Sequence, residues 1–429
     1  MEEKGTYQLS LVERLSFVRY GGTEEELRAA NILREEIEKA GGTSELMEFK
    51  VPAYDLKTCT MKVTVPYEQE VECVPYGISG SLPEGGADLK FYYAPQGIEE
   101  DYLDMDSLEG YVVMINQLTF EAYKLLCDKK ASAFITFGGK WYDTPETFDL
   151  VSRNLRPKML ECGKLPGFAI GAKDATELVR NGAEVLHLEL VQEEFENTSR
   201  DVLAVVPGTG KTGESIVITA HYDSVTVGTG SWDNATGAAT IMGLYRYFVK
   251  HPARRTLRFV WCGSEEQGLY GSKAYVEQNE ELLKEIKFCF NYDMCGTVLG
   301  PNQMFVTGGD DLKHFAEQYC HEVGWPVVFR VTVHSSDSAP FADKGIPALG
   351  ISRGTQTATI HTSNDLLYPL CAKELGNIEE FSIGIISRVA NSAFMPIPTG
   401  MPADMKDKID KYFQRDKKTG KESEEKKPE

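Results

Sequence analysis

Three short apolar runs in the second half of the chain each lead to an acidic residue or a histidine. The runs, rich in β-branched and aromatic side chains, occupy residues 215–220, 256–262 and 288–292. Runs of this kind, bounded by glycine and polar residues, are typical of buried strands. Helical stretches follow the first two runs, at roughly 237–251 and 268–278. Because strands alternate with helices, the sequence predicts an α/β fold with a mostly parallel sheet in three layers, α/β/α.

The residues that follow these predicted strands carry side chains suited to metal-dependent hydrolysis. They are His221, Asp223, Asp233, Glu265, Glu266, Asp293 and His361. In parallel sheets the ligand site lies beyond the carboxyl ends of the strands, so we expect these side chains to converge. Carboxylates and imidazoles are ligands of zinc-like ions, and an additional carboxylate beside them can act as a general base. The pattern therefore predicts a hydrolase with two metal ions.

Each of these residues has a simpler interpretation when taken alone. An aspartate after a strand is more often a helix cap or turn residue, and a single histidine is more often a surface or core residue. Two adjacent glutamates in an acidic chain usually belong to a solvated face. The coincidence of all of them at strand ends favours a site. The residues themselves do not show which of Glu265 and Glu266 binds metal.

Five motifs resemble those of the co-catalytic di-zinc exopeptidases related to bacterial leucyl aminopeptidase, aminopeptidase Y and glutamate carboxypeptidase. They are residues 220–224 (AHYDS), 230–238 (GSWDNATGA), 263–272 (GSEEQGLYGS), 291–296 (NYDMCG) and 360–365 (IHTSND). The resemblance extends over roughly residues 20–60 and 195–395. His221 and Asp233 are only 12 positions apart, and Asp293 and His361 are 68 positions apart. This spacing leaves no room for the domain that some other two-metal exopeptidases carry there.

The resemblance implies a role for each residue and a cofactor of two Zn²⁺ per chain. His221 and Asp293 would bind one ion, Glu266 and His361 the other, and Asp233 both. Glu265 would be the catalytic base, and Asp223 would orient the His221 ring. Asp365 is similar to a residue with a comparable supporting role.

The stretch between the two parts of this predicted domain has a strand and helix pattern of its own. Strands are predicted at 109–116, 133–137 and 165–171, with a short helix at 121–128. The stretch resembles a protease-associated domain, and the alternative is a small α/β insertion of unknown role. The predicted organisation is a zinc exopeptidase domain over 1–54 and 193–400, an insert over 55–192, and a charged, disordered tail over 403–429.

The predicted activity is that of a metallo-aminopeptidase acting on short peptides. The alternatives are a carboxypeptidase, or an amidohydrolase or binding protein on the same scaffold. Asp337 and Phe341 are candidates for the wall of the substrate pocket, and Arg353 is the candidate for binding a C-terminal carboxylate. Side-chain preference and oligomeric state do not follow from the sequence.

The amino-acid composition indicates which binding partners and which cellular compartment to expect for this protein. A net charge of −20 argues against nucleic acid or an anionic membrane as a partner. The opening residues are acidic and contain no apolar segment of the kind found in signal peptides. Nine cysteines without paired spacing are typical of reduced thiols. We therefore expect a cytoplasmic enzyme.

Overall fold

The protein, described by a computed structural model over residues 4–144, 146–354, 357–397 and 399–415, is a mixed α/β structure. The strands are β1 (Ser44–Val65), β2 (Gln69–Glu70), β3 (Cys73–Gly77), β4 (Ala87–Ala94), β5 (Tyr111–Ile115), β6 (Ala133–Gly138), β7 (Arg153–Asn154), β8 (Gly167–Gly171), β9 (Val185–Val206), β10 (Ser215–His221), β11 (Thr256–Cys262), β12 (Ile286–Tyr292), β13 (Asn302–Thr307), β14 (Val327–Val331) and β15 (Ala348–Arg353). The α-helices are α1 (Thr6–Leu15), α2 (Glu24–Lys39), α3 (Phe120–Asp128), α4 (Pro157–Leu160), α5 (Ala172–Arg180), α6 (Thr236–Lys250), α7 (Tyr270–Gln278), α8 (Glu280–Leu283), α9 (Asp310–Val323), α10 (Ser338–Asp343), α11 (Ala372–Asn391) and α12 (Ala403–Tyr412). Among the helices described, none has the length and apolar character needed to cross a bilayer.

One continuous sheet runs through the molecule, and its centre confirms the predicted α/β fold. The strand order is β14-β13-β15-β12-β10-β11-β9-β4-β5-β6-β8-β3-β7. The four strands β15, β12, β10 and β11 are parallel, whereas β13 and β9 pair antiparallel on either side of them. The predicted strands at 215–220, 256–262 and 288–292 correspond to β10, β11 and β12.

Alternating side chains of the central strands divide the core into two faces. On β10, Ile216 and Ile218 lie in the cluster that α1, α2, α6, α9 and α11 cover. Val217, between them, lies in the cluster on the opposite face, with side chains of α7 and α10. This period of two is what a strand buried on both faces requires. The result is the predicted three-layer arrangement, which places the carboxyl ends of the parallel strands at one edge.

A long antiparallel ribbon links the two halves of the sheet. β1 pairs with β9 from Ser44 opposite Ala204 to Val65 opposite Val185. One end of β9 pairs with β11, and the other end pairs with β4, which begins the second group of strands. That second group has its own apolar clusters. Both ribbon strands run through the predicted boundaries at 54/55 and 192/193 without a break.

Helix α2 begins at a capping residue and carries an acid into the core. The Thr23 Oγ1 accepts a hydrogen bond from the Glu26 backbone N–H at 3.3 Å. The buried Glu26 carboxylate accepts a hydrogen bond from Gly22 N at 2.8 Å and another from the Ser199 hydroxyl. Burial raises the pKa of Glu26 to about 8, although these hydrogen bonds oppose the shift.

Substitution of Glu26 by Gln is expected to change the pH dependence of stability. The folded-state pKa lies above that of the unfolded chain, so ionisation of Glu26 lowers the free energy of unfolding as pH rises from about 4.5 to about 8. The Gln side chain can accept a hydrogen bond from the Gly22 N–H and donate one to the Ser199 hydroxyl, as the protonated carboxylic acid of Glu26 can. Relative to wild type, the free energy of unfolding of Glu26→Gln should therefore increase by about 4 kcal/mol between pH 5 and pH 8.5, measured by denaturant unfolding. Glu25→Gln, at the exposed neighbouring residue, is the matched control. If the free energy of unfolding depends on pH in the same way for wild type and both variants, ionisation of Glu26 is not the cause.

The C-terminal segment corrects the predicted disordered tail over 403–429. Residues Ala403–Tyr412 form α12, in which Met405 and Ile409 are buried against Ala342 of α10. The i, i+4 spacing of these two apolar side chains gives an otherwise charged helix one face that can pack. Residues 416–429 lie outside the described part of the chain.

Candidate metal centre

The predicted ligands lie at the carboxyl ends of the central strands and in the loops beyond them. His221 is the last residue of β10, and Asp293 follows directly after β12. Glu265 and Glu266 follow β11 within four residues, and His361 lies in the loop between β15 and α11. The sheet therefore brings together residues that are up to 140 positions apart in the chain.

Asp233 is held in place by the residue that follows it. The Asn234 amide donates to the Tyr292 carbonyl at 2.9 Å, and its oxygen accepts from the backbone N–H groups of Gly237 and Met294 at 2.8 and 3.1 Å. A Cβ on Gly237 would lie 2.3 Å from both Asn234 and Tyr292, so only glycine allows this approach. These contacts fix the loop before α6 against the end of β12, next to Asp293.

The ligand candidates form two groups that share Asp233. His221, Asp233 and Asp293 form the first group, and Asp233, Glu266 and His361 form the second. The His221 Nε2 lies 3.2 Å from Asp233 Oδ1 and 3.6 Å from Asp293 Oδ1. The His361 Nε2 lies 3.3 Å from Asp233 Oδ2 and 2.9 Å from Glu266 Oε2. Each oxygen of Asp233 therefore faces a different group.

Two further aspartates position the groups around the site. The Asp223 carboxylate accepts from the backbone N–H groups of Glu265 and Glu266 at 3.0 and 3.2 Å, and its Oδ1 lies 3.4 Å from His221 Nδ1. Asp365 accepts from the backbone N–H groups of Trp232 and Asp233 at 2.7 and 3.1 Å. Asp223 thus contacts the ring of one ligand and the turn that carries the two glutamates, and Asp365 fixes the backbone of the shared ligand.

A buried arginine provides positive charge behind the acidic site. Arg19 is fully buried, and its guanidinium donates to the carbonyl oxygens of Tyr222, Thr229 and Gly230. These carbonyls belong to the segments that carry Asp223 and Asp233. The sequence pattern gives no indication of this role, because Arg19 lies in a loop far from the ligands in the chain.

Burial and crowded charges raise the pKa values of three groups at the site. Contacts with Asp233 and Glu266 raise the pKa of His361 to about 10. Burial, together with Asp233, raises the pKa of Glu266 to about 7. Burial alone would lower the pKa of His221, but Glu265 and the surrounding aspartates raise it well above its usual value. Because several carboxylates lie close to only two imidazoles, a cation bound at this position would be electrostatically stabilised.

The side chains fit a pair of divalent cations, and Glu265 is left outside both ligand groups. Among the described residues, one buried carboxylate oxygen of Glu266 and one of Asp293 have no hydrogen-bond partner, although each could accept a bond. In the part of the chain described, the Glu265 carboxylate makes no hydrogen bond or ion pair, and it lines the same cleft as the ligands. Burial and Glu266 raise the pKa of Glu265 well above its usual value, as expected of a general base.

The cleft over this site has a volume of about 410 Å³. Tyr20, the segment 151–159 of the predicted insert and the end of α12 line it. At the end of α12, the Tyr412 hydroxyl lies 2.9 Å from Ser335 Oγ. Asp149 of the insert accepts from Ser363 N at 2.7 Å, two residues after His361. The sequence pattern did not identify these wall residues.

Three predicted substrate-contacting residues do not reach this cleft. Phe341 is fully buried in the core and packs against Tyr275. Asp337 is also fully buried, and Arg353 donates hydrogen bonds to the Thr297 carbonyl and the Asn302 side chain. Helix α10 turns its apolar side chains inward, and Arg353 ties β15 to the neighbouring loop. The structure therefore does not support a substrate-binding role for any of the three.

Comparison with known families agrees with this site. Residues 201–385 match the model of peptidase family M28. This range contains all seven residues predicted from the strand ends. The predicted resemblance to zinc exopeptidases is confirmed.

Individual relatives share part or most of the chain. Aminopeptidase YwaD of Bacillus subtilis (strain 168) is 24% identical over 358 residues, which are 80% of this chain and 74% of that protein. Leucine aminopeptidase 2 of Trichophyton equinum is 28% identical over 197 residues, which are 43% of this chain and 39% of that protein.

Solved structures show the same fold over nearly the whole chain. The aminopeptidase from Aneurinibacillus sp. strain AM-1 has a TM-score of 0.75 and 22% identity, covering 93% of this chain and 97% of that one. A zinc aminopeptidase from Bacillus subtilis, BSAP, has a TM-score of 0.75 and 21% identity, covering 94% and 99%. At this level of identity the likeness establishes the fold.

Proposed function

We propose that this protein is a zinc-dependent aminopeptidase that binds two metal ions and releases N-terminal residues from short peptides. The observation that carries the proposal is the pair of ligand groups that share Asp233, with the unpaired Glu265 beside them in one cleft. The match to family M28 and the names of the relatives support the same activity.

In this proposal each side chain has a separate task. His221, Asp233 and Asp293 would bind one ion, and Asp233, Glu266 and His361 would bind the other. When bound, a pair of divalent cations supplies Lewis-acid chemistry for hydrolysis of the scissile amide. The Glu265 carboxylate takes a proton from the attacking water and delivers it to the leaving amine. Asp223 and Asp365 hold the backbone and ring positions on which this geometry depends.

The proposed direction of cleavage follows from the charge at the inner end of the cleft. Glu265 lines that end outside both proposed ligand groups, so the metal ions would not use its charge, and a carboxylate there favours the ammonium of a free N-terminus. A second cavity, of about 670 Å³, shares Met294 and Ile360 with the cleft. It offers an apolar wall for the first side chain of the peptide.

Acetylation of the peptide N-terminus is expected to suppress cleavage by at least about 100-fold. The acetyl group removes the ammonium that the acidic end of the cleft would stabilise, and it adds bulk next to the scissile bond. Cleavage of free and acetylated short peptides, followed by mass spectrometry with zinc added, measures the effect. Equal rates for the two peptides would contradict the proposed direction.

The alternative activities predict different outcomes in the same assay. A carboxypeptidase would tolerate acetylation and would lose activity when the C-terminus is amidated. An amidohydrolase for another substrate, or a binding protein, would cleave neither peptide. The unpaired Glu265 in the cleft favours an enzyme over a binding protein.

The proposed organisation keeps a catalytic domain over 1–54 and 193–400, with a protease-associated-like insert over 55–192. Separate apolar clusters in the two groups of strands support this division. The proposed compartment is the cytoplasm, and its support is that all nine cysteines are free thiols. Short peptides are the proposed partners, with no role for nucleic acid or a membrane; the net charge of −20 supports that exclusion.

A further inference from the structure

Basic side chains of the insert face the acidic metal centre across the cleft. Arg153 and Arg156 line the cleft together with Glu265, Glu266 and His361, and Lys273 of α7 lines it as well. The insert segment carries the two arginines on β7 and on the residue before α4. The cleft thus has an acidic inner end and a basic side, within a chain whose net charge is −20.

The two arginines lack the hydrogen bonds and ion pairs that most arginines of this acidic protein make in the described residues, and of the arginines without such partners they are the ones that line the cleft. Other arginines form ion pairs with glutamate or aspartate, as shown by Arg255 with Glu214, Arg258 with Glu285, Arg388 with Glu322 and Arg415 with Asp343. Over the described ranges, neither the Arg153 nor the Arg156 guanidinium has a hydrogen bond or an ion pair, and both side chains are exposed. Their donors are therefore available to a molecule in the cleft.

A third positive charge, Lys273, lies close to Arg156 and forms no ion pair among the described residues. The Lys273 ammonium donates to the Gly268 carbonyl at 2.8 Å, and the side chain is half-buried. Burial lowers the pKa of Lys273; the charge of Glu277 opposes this shift and that of Arg156 adds to it. Several cations on one wall of a substrate cleft favour an anion there, and a guanidinium pairs with a carboxylate through two parallel hydrogen bonds.

We propose that Arg153 and Arg156 bind a carboxylate of the peptide on the leaving-group side of the scissile bond, and that the preferred substrates are short peptides that carry one. This inference rests on the proposed aminopeptidase activity. In a dipeptide or tripeptide the carboxylate is the free C-terminus, and in a longer peptide it is an aspartate or glutamate side chain. The acidic end of the cleft would bind the ammonium and the basic wall the carboxylate, so the peptide is oriented from both ends.

The test compares KM and kcat for matched peptides with the N-terminal residue that the enzyme cleaves best. One pair is a dipeptide with a free C-terminal acid and the same dipeptide with a C-terminal amide. A second pair of amidated dipeptides carries Glu or Gln after the scissile bond. In wild type, KM should be about three- to tenfold lower for the carboxylate member of at least one pair, with kcat nearly unchanged. The first pair reports a C-terminal carboxylate and the second an acidic side chain.

Variants of the arginines separate this inference from a general effect of charge. The double variant R153Q/R156Q should cleave the acid and amide members with equal KM, and R153K/R156K should retain part of the preference. Arg180, exposed on α5 outside the cleft, provides the control R180Q, which should retain the full preference. Circular dichroism checks that each variant is folded. Equal KM values in wild type, or a preference that persists in R153Q/R156Q, would overturn the inference.

The outcome is distinguishable from failure of the proposed activity. If the enzyme cleaves peptides without discriminating acid from amide, the aminopeptidase proposal stands and the carboxylate site is wrong. If loss of the C-terminal carboxylate abolishes cleavage while acetylation does not, the arginines serve a carboxypeptidase. If no peptide is cleaved, titration calorimetry measures the affinity of wild type and R153Q/R156Q for the same peptide pairs. Tighter binding of the carboxylate member by wild type, with no such difference in R153Q/R156Q, supports the site. Equal binding of both members by wild type overturns it.

Discussion

Replacement of Glu265 by Gln is expected to lower kcat by about 10²–10⁴-fold while metal content stays near that of wild type. Glu265 lies outside both ligand groups, and its carboxylate lines the cleft without a partner in the part of the chain that the structure describes. The amide of Gln has nearly the same shape but cannot accept the proton of the attacking water. The loss should therefore appear in turnover and not in binding of substrate or metal.

The adjacent residue provides the matched comparison. Glu266 lies 2.9 Å from His361 Nε2 within one ligand group, so Glu266→Gln should lower metal occupancy as well as activity. The exposed Glu280→Gln should change neither quantity. Metal analysis and steady-state kinetics on the three variants check the assignment. Full activity of Glu265→Gln, or equal metal loss in both site variants, would show that the roles of the two glutamates are wrong.

The sequence predicted the central sheet and the acidic centre because local rules determine both. β-branched and aromatic runs gave β10, β11 and β12, since side chains of this kind fill a strand buried on both faces. Parallel strands then place their carboxyl ends at one edge, which brings His221 and Asp293 together. The roles of Glu265 and Glu266 came only from resemblance and stay a prediction; Glu266 belongs to one of the two candidate ligand groups, and Glu265 belongs to neither.

The walls of the cleft could not be predicted in the same way, because they depend on contacts between distant segments. The charged composition of residues 403–412 predicted a disordered tail where the structure has α12. The packing of this helix depends on only two of its apolar residues, Met405 and Ile409. The side chain of Phe341 was expected in the pocket, yet α10 directs it into the core. Arg153 and Arg156 belong to a segment with no pattern of its own, and only the placement of the insert brings them to the metal centre.

Removal of Asp233, the ligand shared by both groups, is expected to lower metal content and activity more than any other single substitution at the site. Each oxygen of Asp233 faces a different histidine, so Asp233→Ala should weaken both proposed metal sites at once. Wild type prepared with excess zinc should hold up to two ions per chain, and Asp233→Ala should hold fewer than one. Loss of the cations removes several kcal/mol of transition-state stabilisation, so activity should fall by about 10³-fold or more. Chelation of wild type should have the same effect, and added zinc should reverse it.

Single-site variants distinguish two sites from one. His221→Ala and His361→Ala affect different ligand groups, so each should reduce the stoichiometry by about one ion while Asp233→Ala affects both. Asp310→Asn, an exposed aspartate at the start of α9, controls for the change in charge. Metal analysis of the purified variants, with the fold checked by circular dichroism, provides the measurement. A wild-type protein that binds no metal under zinc-replete conditions would rule out the metal centre. If wild type binds one ion and each of the three variants loses it, the protein has one metal site and not two. Only an ion bound by both histidines would depend on each of them.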